Sequence, residues 1–396
     1  MSRSIIRQIE QREQDELKKM HGVVFGFPYD PEKDESRFYP GEAWACFGES
    51  GKIEAGMCNH VYEIYFDGHA VGMGGIGGVA TYPEARRLGA IRRVFDRVFE
   101  DSLEQGMVFS VLYPFSHHYY RMFGYEGVYR RAEITIPMDY LSHIPRNNSA
   151  YLVSEGADRG ELYFVYDRFA ASRNLAVRRG ERQWEGKVSD QPWKTKKQTY
   201  VYRNQAGEAR GLATVELAGG FGATDLSVHE FLWLDFEALR DMLGFLRHFD
   251  ARAKVNFHNL PADCPIEYFF VNHNKIERRE NRHAMARVLN VKKALELMRY
   301  PESGGRFSIK VTGDCIVKNN GVYTVEFSNS CAEDKKADTG DADMEAGIPA
   351  LSHLMLGTQA LANPTSSLLP GLIVNANRQT LERIFVKKLM YLGDFF

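Results

Sequence analysis

The segment Val79–Arg93 restricts the possible folds of this chain more than any other part of its sequence. It reads Val-Ala-Thr-Tyr-Pro-Glu-Ala-Arg-Arg-Leu-Gly-Ala-Ile-Arg-Arg, so an apolar run ends at a proline and a basic, glycine-containing stretch follows. Apolar residues then recur at helical spacing, at Ile91, Val94, Phe95, Val98 and Phe99. The segment therefore predicts a strand, a tight turn and an amphipathic helix in direct succession.

The predicted start of this helix is suited to binding an anion. Unpaired N–H groups at a helix N-terminus attract negative charge, and Gly89 has no Cβ to keep a phosphate away from the backbone. Basic residues at this end oppose the helix dipole, so their placement is unfavourable unless an anion is bound. The basic residues are Arg86, Arg87, Arg92 and Arg93. A solvated basic face is the alternative interpretation.

Length, charge and composition exclude several classes of protein. The 396 residues exceed one ordinary domain of roughly 100–200 residues, and the 44% hydrophobic and 26% charged content is globular. Fifty Lys and Arg against 52 Asp and Glu give a net charge of −2, so we expect no nucleic-acid partner. No apolar run reaches the roughly 18 residues of a membrane span, and the N-terminus does not resemble a signal peptide. The five cysteines form no Cys-x-x-Cys pair, so we expect a reducing cytoplasm and no metal site.

The order of predicted elements divides the chain into three α+β units, at residues 1–150, 151–286 and 287–396. The second unit repeats the hairpin, strand, helix and strand of the first, and Asp235 is expected to cap its helix. That helix is preceded by Leu-Asp-Phe-Glu rather than by Arg-x-x-Gly. In the third unit, Asn319-Asn320-Gly321 predicts a tight hairpin turn, and the charged stretch Glu333–Glu345 predicts a solvated loop.

A glycine pattern precedes the basic turn. Gly72-x-Gly74-x-x-Gly77 formally matches a dinucleotide-binding fingerprint, which requires a helix immediately after the glycines. Here the extended stretch Gly78–Pro83 intervenes, so we reject that interpretation. The pattern indicates a glycine-rich strand with a bulge, or a place where a ligand approaches the backbone.

The order strand, Val-Ala, Pro, Arg-x-x-Gly and helix resembles the acetyl-CoA motif of the GCN5-related N-acetyltransferases (GNAT), Gln/Arg-x-x-Gly-x-Gly/Ala. Arg86 and Gly89 match, whereas Ile91 stands at the last small position. This departure fits the enhanced intracellular survival (Eis) family, which tolerates an aliphatic residue there. The segment Tyr119–Tyr125 resembles the Tyr-x-x-Phe-Gly-Tyr of that family, and the chain ends in an aromatic residue, as the family does.

The resemblance implies a fold, a co-substrate and an assembly. It implies two GNAT-like mixed-sheet domains in tandem, of which the second is degenerate, followed by a domain like the sterol carrier proteins. It also implies acetyl-CoA as co-substrate and a homohexamer. The residues that it implies for binding acetyl-CoA are Val79, Ala80, Thr81, Arg87, Leu88, Gly89, Ala90, Ile91, Arg92, Phe115 and Ser116.

The resemblance further implies two catalytic groups. Tyr120 is the implied general acid for the departing thiolate, and a tyrosine with its usual pKa of about 10 is protonated at neutral pH. The adjacent Tyr119 would point about 100° away on a helix, so only one of the two should face the cofactor. The Phe396 carboxylate is the implied general base, and the apolar tail is expected to be docked. This carboxylate is a weak base, so acting through a water and holding the ammonium remain open, as does a tail that only packs between domains.

The expected reaction is transfer of an acetyl group to a primary amine, either on a polycationic small molecule such as an aminoglycoside or on a lysine side chain. The loop Phe25–Gly41 offers aromatic and acidic residues suited to a cationic amine, and a surface loop of this composition is equally ordinary. These residues are Phe27, Tyr29, Asp30, Asp34 and Glu35. The alternative function is a binding module, in which the third domain carries an apolar ligand or lipid and the acetyl-CoA-binding domain is not catalytic.

Overall fold

The computed structural model describes residues 5–33, 41–154, 156–217, 225–328, 331–337 and 339–396. The strands are β1 (Ile5–Gln8), β2 (Ala43–Phe47), β3 (Ile53–Phe66), β4 (His69–Thr81), β5 (Phe109–Leu112), β6 (Glu126–Pro137), β7 (Ala150–Val153), β8 (Lys197–Arg203), β9 (Ala209–Glu216), β10 (Asp225–Trp233), β11 (Lys254–Pro261), β12 (Glu277–Val288), β13 (Gly305–Val311), β14 (Gly321–Ser328), β15 (Cys331–Ala337), β16 (Met344–Ala346) and β17 (Ile373–Val374). The α-helices are α1 (Gln14–Phe25), α2 (Ala90–Glu104), α3 (His117–Arg121), α4 (Gly160–Ala171), α5 (Glu181–Trp184), α6 (Pro192–Thr195), α7 (Phe236–Leu246), α8 (Val291–Leu297), α9 (Ile348–Leu356) and α10 (Arg378–Ile384).

The first two units share one twelve-stranded sheet of order β1-β2-β3-β4-β5-β12-β6-β11-β10-β9-β8-β7. The first unit supplies β1–β5 at one edge, and the second unit supplies β7–β11 at the other. Between them, β12 of the second unit lies between β5 and β6, and β6 of the first unit lies between β12 and β11. The two units have therefore exchanged a strand at their junction. The sequence analysis did not predict β12, whose first half is charged.

The predicted repetition of elements in the second unit is confirmed. Each unit contains two parallel strands joined by an amphipathic helix, and the first of these strands pairs with an antiparallel strand that precedes it in the chain. The order is β3, β4, α2 and β5 in the first unit, and β9, β10, α7 and β11 in the second. The parallel pairs β4–β5 and β10–β11 each run for only four residues, from Met73 to Ile76 and from Asp225 to Val228. The predicted α+β class with two mixed-sheet units is thus confirmed.

The third unit is a five-stranded sheet of order β15-β14-β13-β16-β17, packed with α8, α9 and α10 into a common core. Two local predictions were wrong. Strands β13 and β14 pair up to Val311↔Gly321, so residues 312–320 form a longer connection, and the Asn319 and Asn320 side chains bond to Asp314 instead of forming a two-residue turn. Part of the expected solvated loop is the edge strand β15, since its pairing with β14 supplies backbone hydrogen bonds that its charged sequence does not reveal.

Candidate active site

A cleft opens where β4 and β5 separate. These strands pair in parallel only as far as Ile76↔Leu112, while β4 continues to Thr81 against β3. The register with β3 shifts beyond Gly77, and Gly78 in this bulge has a φ of 58°, which favours glycine. In the described part of the chain, the β5-facing edge of Val79–Thr81 has no strand partner. An extended ligand with amide groups can therefore pair with this edge.

Close packing explains the glycine run of β4. A Cβ on Gly74 would lie 2.4 Å from Oδ1 of Asn59, and one on Gly75 would lie 2.8 Å from the ring of Phe396. One on Gly78 would lie 2.8 Å from the ring of His21. The interpretation as a glycine-rich strand with a bulge is confirmed, and the group that approaches Gly75 is the C-terminal residue of the same chain.

The turn before α2 presents unsatisfied backbone donors. Arg87 and Gly89 have φ values of 65° and 77°, and α2 begins at Ala90 without a side chain that caps it. The first bond within the helix runs from the N–H of Arg93 to the carbonyl of Gly89, so the preceding N–H groups have no helical partner. The guanidinium of Arg93 bonds to the carbonyl of Leu88 at 3.1 Å, which brings a positive charge back to this end. The turn is thus arranged to receive an anion.

The corresponding helix of the second unit begins with a carboxylate instead. Asp235 caps α7, as predicted, and its side chain accepts a hydrogen bond of 2.8 Å from the N–H of Ala238. Glu237 adds a second acidic group in the first turn. Negative charge already neutralises this helix end and repels a phosphate. The second unit therefore lacks the anion site of the first.

Tyr120 lies on α3, beside the end of β5. Ser116 caps this helix, and its hydroxyl accepts a hydrogen bond from the N–H of Tyr119. The Tyr120 ring is 3% exposed and packs against Phe95 and Phe115, with centroid distances of 6.4 and 5.3 Å. Burial raises the pKa of Tyr120 above its usual value, so the hydroxyl is protonated at neutral pH. Among the described residues no group accepts a hydrogen bond from it, which leaves this proton available.

The two tyrosines of this helix differ in environment. Tyr119 is half-buried, and its ring plane lies at 85° to that of Tyr120. Phe115, which contacts both rings, is 70% exposed at the mouth of the cleft. Tyr120 is therefore the more enclosed of the two.

The predicted docking of the tail is confirmed, and a buried carboxylate holds it to the second unit. Asp394 lies 3.1 Å from both Nε of Arg179 and Nζ of Lys187. Arg179 also forms two hydrogen bonds to Glu230, at 2.7 and 3.1 Å, and its side chain is fully buried. The tail is therefore fixed two residues before its end by an ion pair that solvent does not screen.

The last two residues reach the first unit. Tyr113 stacks on Phe395 at 4.2 Å and donates a hydrogen bond to the carbonyl of Asp394. The Phe396 ring packs 5.2 Å from the ring of Tyr62. The carboxylate carbon of Phe396 lies 3.5 Å from the position that a Cβ on Gly77 would occupy. The C-terminal carboxylate thus lies at the first residue of β4 beyond its pairing with β5.

The sequence analysis missed a histidine at the same place. Nε2 of His60 lies 3.6 Å from that same Cβ position on Gly77, and Nδ1 lies 2.7 Å from Oε2 of Glu42. Glu42 also accepts two hydrogen bonds from Arg182, at 2.5 and 3.0 Å. Burial raises the pKa of Glu42, but the hydrogen bonds from His60 and Arg182 outweigh it and lower that pKa to about 2. No local sequence signal identifies this group, since its members come from β3, the start of β2 and α5.

The predicted acceptor loop is described only in part. Phe27 is exposed, Tyr29 donates a hydrogen bond of 2.8 Å to Asp15, and Asp30 pairs with Lys33 at 2.9 Å. The other two predicted residues, Asp34 and Glu35, lie outside the described residues. Aromatic rings lead from the bulge of β4 towards this loop, through His21 and Phe25 on α1 and Phe27 beyond its end.

Within the described ranges, no group of three or more His, Cys, Asp or Glu residues is placed to hold a metal ion. No helix among the residues described is long and apolar enough to cross a membrane. Cys46, Cys58, Cys264 and Cys315 are free thiols.

Three family models match successive parts of the chain. A model described as an acetyltransferase (GNAT) domain matches residues 5–128, and a second with the same description matches residues 175–288. A sterol carrier protein domain matches residues 291–392. No curated protein matches the sequence.

Solved structures resemble the whole chain at low sequence identity. A probable N-acyltransferase from Enterococcus faecalis is 22% identical with a TM-score of 0.85, and a GCN5-related N-acetyltransferase from Anabaena variabilis is 19% identical with a TM-score of 0.84. Each match covers 100% of both chains. Eis1 from Mycobacterium abscessus is 16% identical with a TM-score of 0.81, over 99% of this chain and 100% of the other. At these identities the likeness establishes the common fold.

Proposed function

Because this chain belongs to the GNAT superfamily of N-acetyltransferases and has an Eis-like fold, we propose that it acetylates a primary amine of a polycationic small molecule, aminoglycoside-like in its chemistry, or of a lysine side chain. Acetyl-CoA is the co-substrate of GNAT domains. The observation that carries the proposal is the C-terminal carboxylate on β4 at the point where the cleft opens.

Acetyl-CoA would bind to the first unit alone. The free edge of β4 would pair with the amides of the pantetheine arm, and the start of α2 would hold the pyrophosphate. The residues that we propose for these contacts are Val79, Ala80, Thr81, Arg87, Leu88, Gly89, Ala90, Ile91 and Arg92, with Phe115 and Ser116 at the opposite side of the cleft. The Asp235 cap supports the absence of a second acetyl-CoA in the other unit.

The proposed chemistry is direct attack of a neutral amine on the thioester carbonyl. The nitrogen–carbon bond forms, the carbon–sulfur bond breaks, and the Phe396 carboxylate takes the proton that the nitrogen then loses. Tyr120 donates its proton to the departing thiolate, which its hydroxyl, protonated at neutral pH, supports. Each catalytic group supplies a different proton transfer, so loss of either should slow the chemical step.

Charge and aromatic rings support a cationic acceptor. The C-terminal carboxylate lies at the cleft, and the ring of the same residue, Phe396, packs against the rings of Tyr62 and Tyr113. Exposed Phe25 and Phe27 lie at the end of α1. Carboxylates and aromatic faces both attract ammonium groups, so a polycation is favoured over a neutral amine.

The large cavity beside the third unit argues against the binding-module alternative. This cavity has a volume of about 530 Å³ and lies between β6 and the third unit. Arg121, Glu126, Glu280, Lys387 and Lys388 contribute to its lining, so charged groups border it. An apolar ligand or lipid would leave these groups without water.

We also propose a homohexamer in the cytoplasm, with domain boundaries at residues 1–150, 151–286 and 287–396. The support for the assembly is the likeness to the Eis fold. Light scattering of the purified protein tests the assembly, for which we expect about six times 45.2 kDa. A monomer at micromolar concentration would contradict this part of the proposal.

The decisive test is release of free CoA from acetyl-CoA in the presence of aminoglycosides, polyamines or lysine peptides. We expect amine-dependent release, and a loss of kcat of roughly 10²–10⁴-fold in Tyr120→Phe, because general acids contribute on this scale. Tyr119→Phe is the matched control, since it removes the same hydroxyl from the adjacent residue and should retain most of the activity. No release with any amine, although acetyl-CoA binds, would contradict the proposed enzyme. Release that is insensitive to Tyr120→Phe would contradict the general acid.

The anion site can be tested by copying the cap of the second unit. Gly89→Asp should weaken acetyl-CoA binding roughly 10–100-fold, because a carboxylate near the pyrophosphate adds about 1–3 kcal/mol of repulsion. Gly89→Asn is the matched control, since Asn has the same shape and tolerates a positive φ as well as Asp does. Isothermal titration with acetyl-CoA measures both. Equal affinities of the two variants would show that the charge at this helix end does not matter.

A further inference from the structure

His60 has no part in the mechanism proposed so far, yet its geometry is that of an oriented base. Its Nδ1 lies 2.7 Å from Glu42, and Glu42 is ionised because Arg182 and His60 lower its pKa to about 2. An ionised carboxylate only accepts hydrogen bonds, so Nδ1 carries the proton and Nε2 is left with a free electron pair. Nε2 lies at Gly77, beside the cleft.

The carboxylate that holds His60 is itself held firmly. Glu42 is 3% exposed and accepts hydrogen bonds from Arg182 and from the N–H of Val61 at 3.3 Å. Arg182 belongs to α5 of the second unit, so the two units meet at this carboxylate. The imidazole ring is thereby fixed in one tautomer and one orientation, as a base requires.

His60 and the C-terminal carboxylate lie at one point of β4 without contacting each other. Nε2 of His60 and the carboxylate carbon of Phe396 lie 3.6 and 3.5 Å from the same Cβ position on Gly77. Among the described residues, no ion pair within 4.0 Å joins the two groups. Both groups therefore approach the same face of β4 at Gly77.

Proton counting shows why two acceptors are needed. At neutral pH an alkylamine arrives as an ammonium with three hydrogens, and the amide product retains one. Two protons therefore leave the nitrogen, one before attack on the thioester and one after it. Tyr120 returns one proton to the thiolate, and the net reaction releases one proton to solvent. A single C-terminal carboxylate accounts for only one of the two removals.

We propose that His60 is a second catalytic base, whose Nε2 takes the first proton from the acceptor ammonium, and that Glu42 and Arg182 are its positioning residues. The Phe396 carboxylate attracts the ammonium and takes the second proton, after the nitrogen–carbon bond has formed. This inference rests on the proposed acetyl transfer. An imidazole suits the first step because general bases work best when their pKa lies near the working pH. The ordinary pKa of an imidazole lies far closer to neutral pH than that of an α-carboxylate does.

The charged and titratable groups that face His60 come from four places. They are Glu42 before β2, Arg182 on α5, the carboxylate of Phe396 and Tyr62 on β3. The adjacent part of β4 contributes no titratable side chain, since it consists of Gly74, Gly75, Ile76 and Gly77. Burial raises the pKa of Tyr62 to about 12, so this residue stays neutral and does not compete for the proton.

The test is the pH profile of kcat/KM for amine-dependent CoA release, for the full chain and three variants. His60→Gln keeps a donor for Glu42 but removes the base. We therefore expect a roughly 10²-fold lower kcat and an unchanged KM for acetyl-CoA. The fall of kcat/KM at acidic pH, the acidic limb of the profile, should also be lost. Glu42→Gln removes the ionised carboxylate that holds the imidazole in one tautomer and orientation, so we expect a lower kcat with an unchanged KM for acetyl-CoA. His69→Gln, an exposed histidine at the start of β4, is the control and should match the full chain.

The outcomes separate this inference from the function on which it rests. An acidic limb that persists unchanged in His60→Gln would overturn the role of His60, as would a kcat close to that of the full chain. A loss of kcat that is matched by a lower melting temperature and weaker acetyl-CoA binding, with the limb unmoved, would show a purely structural role and overturn it too. If the unaltered protein releases no CoA with any amine, the proposed acetyl transfer fails first and this inference fails with it.

Discussion

Deletion of Phe396 is expected to lower kcat for amine acetylation by roughly 10²–10⁴-fold, while KM for acetyl-CoA changes little. The deletion transfers the α-carboxylate to Phe395, which is about 3.3–3.6 Å further back along an extended chain. Phe395 is anchored by stacking on Tyr113 and lies next to the Asp394 ion pair, so it cannot slide forward without breaking both. The new carboxylate would therefore no longer lie at Gly77.

The matched control separates the carboxylate from the ring. Phe396→Leu keeps the terminal carboxylate but removes the aromatic contact with Tyr62, and it should retain most of kcat. Extension by one glycine keeps the ring and moves the charge, so it should behave like the deletion. Steady-state kinetics at varied acetyl-CoA concentrations measure kcat and KM for all three variants. Unchanged turnover in the deletion variant would remove the C-terminal carboxylate from the mechanism.

Local signals predicted the local structure of the segment that we propose to bind acetyl-CoA. These signals are the helical spacing of apolar residues after Gly89 and the proline turn before it, and both arise from interactions between residues close in sequence. The structure has α2, with its uncapped start, at the predicted place. The Asp235 cap of α7 was predicted for the same reason. Local hydrogen bonds and helix periodicity are properties of a short segment, so a single sequence reveals them.

The base half of the site depends on contacts between distant parts of the chain. Glu42 precedes His60 by 18 residues and Arg182 by 140, and Asp394 follows Arg179 by 215. A histidine in a strand and a glutamate before another strand have no pattern that links them until the sheet is assembled. The exchanged strand β12 was missed for a related reason, since its charged half pairs with β6, which belongs to the other unit, and only Met285–Val288 also pair with β5.

These distant contacts also show what the second unit contributes to the site. Its own helix α7 is capped by Asp235, and its residues Arg179 and Lys187 hold Asp394 of the tail, while Arg182 holds Glu42. The charges that orient both base candidates thus come from the second unit. Substitutions in the second unit should accordingly affect turnover more than acetyl-CoA binding.

The largest effect on stability is expected at Arg287, which joins the first and third units. Its side chain is fully buried on β12, and it bonds to both carboxylate oxygens of Asp314 at 2.8 and 2.9 Å. It also donates to the carbonyl of Phe123, and its guanidinium lies 4.6 Å from the ring of Phe99. A Cβ on Gly124 would lie 3.0 Å from Nη1 of Arg287, so the glycine of the Phe-Gly-Tyr segment provides room for this guanidinium.

Arg287→Ala should lower the free energy of unfolding by about 3–5 kcal/mol, because it leaves Asp314 buried without its partner. Chemical denaturation followed by circular dichroism measures the loss, and Arg279→Ala, an exposed arginine on the same strand, should change it by less than about 0.5 kcal/mol. The double variant Arg287→Met with Asp314→Ala removes both charges and should recover part of the loss. If the double variant is no more stable than Arg287→Ala, the unpaired carboxylate is not the cause. The loss would then come from the cavity and from the carbonyl of Phe123 that has lost its donor.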